Sequence, residues 1–144
     1  MTEPVDPVLL GVRMVALSPA VSEICAGRIF GAELPASEGA SMPRACIVVA
    51  SAGLGASPPG VNDYMHQKAS RLDIRCYGST PVEAQRMGLF VDRHMQAWDR
   101  TTMSGMVSWW AKRVSGPVTY RTDPGDWPVS VWTYDVLHAD SLTE

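Results

Sequence analysis

Within three residues near its middle, this chain switches from the periodicity of a strand to that of a helix. Leu72, Ile74 and Cys76 alternate with Arg71, Asp73, Arg75 and Tyr77, which predicts a strand with one buried face. Gly78-Ser79 turns the chain, and Thr80-Pro81-Val82-Glu83 reads as a capping box, with the Thr hydroxyl taking the third helical amide while Glu83 reaches back. Behind it, Ala84, Met87, Gly88, Val91, Met95 and Trp98 fall on one helical face, and Gln85, Arg86, Asp92 and Arg93 on the other. A half-buried strand that runs directly into a helix with one apolar stripe has to lay that helix back across the sheet. Gly88 within the stripe costs about 1 kcal/mol relative to alanine, so it predicts a close approach of the helix axis to a neighbouring backbone.

Upstream, Val5, Val8, Leu9, Val12, Val15 and Ala16 recur at helical spacing. Asp6-Pro7 suits the start of that helix and Ser18-Pro19 its end. Ser22 to Phe30 reads as a short helical turn leading into a short strand at Arg28 to Phe30, and Gly31 to Arg44 as a long connection. Ala45 to Ala50 is an apolar, β-branched run that suits a well-covered strand. The Gly/Pro-rich segment from Ala52 to Gly60 predicts a loop, since glycine is costly to order and proline lacks a donor. With the strand after it, this makes an extended hairpin. Downstream, the pattern predicts a meander: a strand alternating Val107, Trp109 and Ala111 with Ser108, Trp110 and Lys112; a turn at Ser115-Gly116-Pro117; a strand from Val118 to Thr122; and a turn at Asp123 to Asp126. A final strand from Trp127 to His138 follows, with Val129, Val131 and Leu137 on one face and Trp132, Tyr134 and Val136 on the other. Two apolar faces need two partners, the helices for one and a neighbouring subunit for the other.

The 144 residues are the size of one domain, and the expectation is a single unit over 1–144. With 46% hydrophobic and 19% charged residues, the chain can bury a core. The net charge of −3 comes from interspersed acids and bases, without the Lys/Arg block of a dedicated DNA binder. Neither a leader pattern at Met1 to Pro4 nor a run approaching the ~20 apolar residues of a membrane span is present, so the expectation is a protein made and used in the cytoplasm, with no membrane partner. Cys25, Cys46 and Cys76 are an odd, widely spaced set and read as free, buried thiols.

Reactive chemistry finds little support. The glycines after the strand lack a following Gly-Lys-Ser/Thr or a GxGxxG, and Pro58-Pro59 removes donors that a phosphate would need. His66, His94 and His138 are isolated, without zinc-ligand spacing. No cysteine sits in a nucleophile context, and Glu83, Asp92 and Asp99 read as a helix cap, a solvated helix face and a helix end. The expectation is therefore no catalytic, cofactor-binding or metal-ligating residue and no cofactor. Lys68, Arg71 and Arg75 read as an ordinary solvated face or, less simply, as a basic strand face able to meet phosphates. All five tryptophans lie in the C-terminal half; adjacent Trp109 and Trp110 must point to opposite faces of a strand. One of them then needs either a covering segment or a subunit interface.

The run from Arg71 to Ala84 resembles the strand, turn and capped-helix junction of siphophage tail terminators, the tail-completion proteins of the lambda and HK97 type. An N-terminal helix, Gly27-Arg28-Ile29-Phe30 before Leu34-Pro35, an apolar strand after Pro43 and a closing strand through Trp127-Pro128-Val129 and Tyr134-Asp135-Val136 agree in order. The resemblance implies an α+β fold, a mainly antiparallel sheet with two helices on one face and a long β-hairpin loop. It implies a non-enzymatic virion protein that forms a hexameric ring, caps the tail tube, ends its polymerisation and offers a surface to a head-side neck or connector protein, while DNA passes through the bore unread. On that reading Gly53, Leu54, Gly55, Ser57, Pro58, Pro59 and Gly60 contact the tube or bore; Lys68, Arg71 and Arg75 face the bore; and Trp109, Trp110, Trp132 and Tyr134 are subunit-interface candidates. The Gly31 to Arg44 connection and the Gly53 to Gly60 loop depart from the family pattern. Rival readings are a neck or head-completion subunit, a small cytoplasmic enzyme using Cys76 or a histidine, and a small-molecule-binding module.

Overall fold

The computed structural model describes residues 6–54, 68–103, 106–122 and 125–140. The helix after the capping box is α4 (Pro81–Gln96), preceded by α1 (Pro7–Ala16), α2 (Pro19–Cys25) and the short α3 (Ala36–Gly39). The strands are β1 (Ile29–Gly31), β2 (Cys46–Leu54), β3 (Lys68–Tyr77), β4 (Thr101–Met103), β5 (Met106–Arg121) and β6 (Pro128–Asp140). They form one sheet in the order β1-β2-β3-β6-β5-β4. Every pairing is antiparallel except β1 with β2. That parallel pair explains the long Gly31 to Arg44 segment, because joining parallel strands requires a crossover; α3 lies within it.

The β3–α4 junction forms as the sequence predicts. Thr80 Oγ1 accepts from the Glu83 amide at 3.2 Å. Glu83 reaches one residue further back than a simple capping box, accepting from the Ser79 amide at 3.2 Å and the Ser79 hydroxyl at 2.9 Å. Ala84, Met87, Val91 and Met95 are fully buried, the last three in one cluster with Leu72, Ile74 and Cys76 of β3 and Trp132, Tyr134 and Val136 of β6. The close approach at Gly88 is to a side chain, not to backbone: a Cβ there would fall on the Trp132 indole nitrogen.

Other expectations need correction. In α1 the buried residues are Leu10, Gly11, Met14 and Val15, while Leu9 and Ala16 are exposed. The helix is apolar on nearly every side, so periodicity alone does not choose its inner face. Gly11 chooses it, since a Cβ there would lie 2.8 Å from Leu72 Cδ1 and Val49 Cγ1. Ser18-Pro19 ends α1 and also starts α2, where Ser18 Oγ accepts from the Val21 amide at 3.4 Å. Ala52, Gly53 and Leu54, read as loop, continue β2 past an irregularity between Ser51 and Gly53. The predicted turn at Ser115-Gly116-Pro117 is instead a bulge inside β5, because β6 is long enough to pair on both sides of it: Ser115 stands opposite Thr133 and Val118 opposite Val131. Of the predicted turn before β6, Asp123 and Pro124 lie outside the described residues; on either side of them Thr122 donates to the Trp127 carbonyl and Asp126 to the Thr122 carbonyl.

Candidate assembly surface

One face of the sheet is closed by α1, α2 and α4 over the main core. On the opposite face a smaller cluster of Cys46, Val48, Tyr77 and Val129 lies beneath Leu34, Met42 and Trp127. Glu38 pins the crossover there. It accepts two hydrogen bonds from Arg44, at 2.6 and 2.7 Å, with Arg28 Nε 3.8 Å away. The hydrogen-bonded Arg44 guanidinium holds the Glu38 carboxyl below its ordinary value.

Further along that face, Arg71 gives two hydrogen bonds to Asp135, at 2.9 and 3.2 Å, and Asp73 accepts from Thr133 at 2.7 Å. The acids Asp73 and Asp135 therefore share the face with Arg71 and Arg75, and the charges of the four cancel. Lys68 pairs through its backbone with His138. Of the proposed tube-contacting residues, Gly53 and Leu54 belong to β2, and Gly55, Ser57, Pro58, Pro59 and Gly60 lie outside the described residues.

The interface candidates separate into two pairs. Trp132 and Tyr134 are 1% and 0% exposed. Their surface is used within the subunit, so they have none to give a neighbour. Trp109 and Trp110 are half-buried; Trp110 stands opposite Leu137, and Trp109 occupies an irregularity between Ser108 and Trp110. Beyond them β5 projects out of cover. Every residue from Lys112 to Arg121 is exposed except half-buried Gly116. The exposed set includes Val114, Val118 at 58% and Tyr120 at 48%. The alternation of Val118 and Tyr120 was the available signal for this surface, but a solvent-facing apolar pair looks the same in sequence as a core-facing one.

Asp92, read as part of a solvated helix face, is instead a junction between α4 and the sheet. It accepts from the Tyr134 hydroxyl at 2.7 Å, from Arg113 at 3.1 Å and from Gln96 at 2.7 Å. Burial and the adjacent carboxylate push the Tyr134 hydroxyl well above its ordinary value, so it remains a donor. Arg113 also stacks over the Trp132 ring, 5.7 Å from its centroid. Next to this junction, Gln96, Ala111, Lys112 and Arg113 line an open depression of about 270 Å³.

The groups considered for chemistry are engaged in structure. Burial pushes the Cys46 thiol up to about 12 and raises Cys25 and Cys76 as well, so all three stay protonated near neutrality. His94 Nε2 donates to the Met14 carbonyl at 2.7 Å and its ring meets Trp98 edge-on. His138 Nε2 and Ser70 Oγ are 2.8 Å apart in a buried pair; His66 lies outside the described residues. Among the described residues no group of three or more His, Cys, Asp or Glu could hold a metal ion, and no single helix is long and apolar enough to cross a membrane.

Fold and surface thus define an α+β protein with one curled, helix-backed sheet and, among the described residues, a long strand left open along one edge. No protein-family model and no curated protein matches the chain. Among solved structures it is similar to a chain from the virion of a native gene transfer agent (GTA) particle. The TM-score is 0.59 over 92% of this chain and 91% of that chain, at 10% sequence identity. The likeness is one of fold.

Proposed function

We propose that this chain is a structural subunit of a phage-like virion, and within it a tail terminator: a ring, hexameric by the family resemblance, that caps the tail tube and joins it to the head. The observation that carries the reading is the end-to-end fold likeness to a chain of a gene transfer agent virion, which leaves little of either chain unmatched. The exposed β5 surface adds to it, since a strand with apolar side chains in solvent gains by being covered in an assembly. The partners are copies of the same chain, the tube protein on one side and a head-side connector on the other, with DNA passing through the bore. Binding, not bond-making, is its role.

The test is removal of the chain from cells that produce the particle, with the tails then imaged by negative stain. Overlong tails without heads are expected. Tails of normal length already joined to heads would overturn the reading, and normal tails with the defect confined to the head portal would move the protein to the head-completion position. Deleting residues 55–60 alone is expected to leave the fold intact and tail length uncontrolled.

A further inference from the structure

β5 is a 16-residue strand, and β4 covers only its first three residues, through Thr101 to Ser108, Thr102 to Val107 and Met103 to Met106. Among the described residues, the pairs that β5 makes from Trp110 to Arg121 are all on one side, with β6, and are interrupted at Val114 and at Gly116-Pro117. An open edge of this length is a template for another strand. Folded proteins usually blunt such edges with bulges and charges; here the Gly116-Pro117 bulge interrupts the edge, but Val114, Val118 and Tyr120 remain exposed along it.

Charge indicates the occupant. The edge carries exposed Lys112 and Arg121, the latter 3.8 Å from Asp126 on an exposed turn, while Arg113 is engaged by Asp92. Two β5 edges set against each other would bring these bases together, which is unfavourable. The other end of the sheet is the outer edge of β1, and its exposed charges are acidic. Glu33 follows β1 directly, and Asp6 caps α1, whose Val8 packs against Gly31. The base beside it, Arg28, is turned inward to the Ala45 carbonyl at 2.9 Å.

We infer that the free edge of β5 docks strand to strand on the β1 edge of a second copy, with Lys112 and Arg121 set against Glu33 and Asp6 of that copy. The contact is head-to-tail, so it repeats around a closed ring; the three residues of β1 pair with part of the β5 edge only. The inference deepens the ring reading above and rests on it for closure, but not for the pairing itself.

The experiment uses the purified chain in two charge variants and no tail components. Lys112→Glu/Arg121→Glu makes both edges acidic. Asp6→Asn/Glu33→Lys removes the acid side, and Asn keeps the cap of α1. Each variant alone is expected to associate about tenfold more weakly than wild type by sedimentation, at low salt, and an equimolar mixture to recover wild-type association because acidic β5 then meets basic β1 at alternate contacts. Unaltered association of Asp6→Asn/Glu33→Lys alone would show β5 pairing with itself and overturn the inference. So would a mixture that fails to recover, or a wild-type chain that stays monomeric up to its solubility limit. Association without any effect on tails in the particle-producing cell would leave this pairing standing and remove the tail-terminator reading.

Discussion

Gly88 and Trp132 have to be read together. A Cβ at residue 88 would displace the Trp132 indole, whose Nε1 donates to Ser130 Oγ at 2.9 Å, so the ring cannot slide away without breaking a buried hydrogen bond. Gly88→Ala adds helix propensity of about 1 kcal/mol, but overpacking of this kind costs about 1–3 kcal/mol; the expected result is a less stable protein by urea unfolding, and an equal or raised midpoint would refute the contact. Asp92 gives a second expectation. Truncating it to alanine leaves the buried Tyr134 hydroxyl without its acceptor, at a cost of about 1–3 kcal/mol. Tyr134→Phe removes the hydroxyl itself and is expected to be milder. A double-mutant cycle between the two, read by chemical denaturation, should show clear coupling. Glu38 sets a pH expectation. Its carboxyl is held low by Arg44 in the folded protein, so the stabilisation is fully present above the ordinary carboxylate value of 4.5 and is lost as pH falls through the lowered value. Glu38→Gln should therefore melt lower near neutrality, and its melting temperature should fall less steeply on acidification.

Among the elements, α4 and β3 were legible because their determinants are local: a capping residue, a turn and a period that changes within a few positions. β5 was not. Ser115-Gly116-Pro117 carries the composition of a turn and of a bulge alike. What decides is the 13-residue length of β6, which pairs on both sides of the interruption. The inner face of α1 was illegible for a similar reason, since Leu9, Leu10, Val12, Met14 and Val15 crowd most of its circumference and only the contact of Gly11 with Val49 and Leu72 selects a side. Asp92 was misplaced because its partners Tyr134 and Arg113 lie on other elements. The surface followed the same rule: five tryptophans marked the C-terminal sheet as aromatic, but which of them the core consumes depends on packing that no window of sequence contains. At this scale the bulge itself is testable. Gly116 has φ +100°, and a Cβ there would lie 2.7 Å from the Val131 carbonyl oxygen, so Gly116→Ala is expected to cost about 1–3 kcal/mol. A true hairpin turn, without that carbonyl overhead, would show only the backbone part of this loss.

For the whole molecule, the question is whether the exposed strand belongs to the folding of one subunit or to the joining of several. Val118 and Tyr120 are 58% and 48% exposed, so the isolated subunit gains little from burying them, whereas an assembly that covers them gains the transfer of their apolar surface. Folding and association then separate experimentally. If assembly stabilises the folded subunit, the melting temperature rises with protein concentration, because mass action favours the species that binds its own copies. Val118→Asp places a charge where a neighbouring copy would sit but where the lone subunit meets solvent. In dilute solution the variant is expected to melt within a degree or two of wild type, as surface substitutions shift stability by about 0.5 kcal/mol or less. At high concentration the wild type should melt higher than it does when dilute, and Val118→Asp should not. A variant that lost stability equally at both concentrations would assign Val118 to the subunit's own core, and β5 would then be a solvent-facing strand and not the joint between subunits.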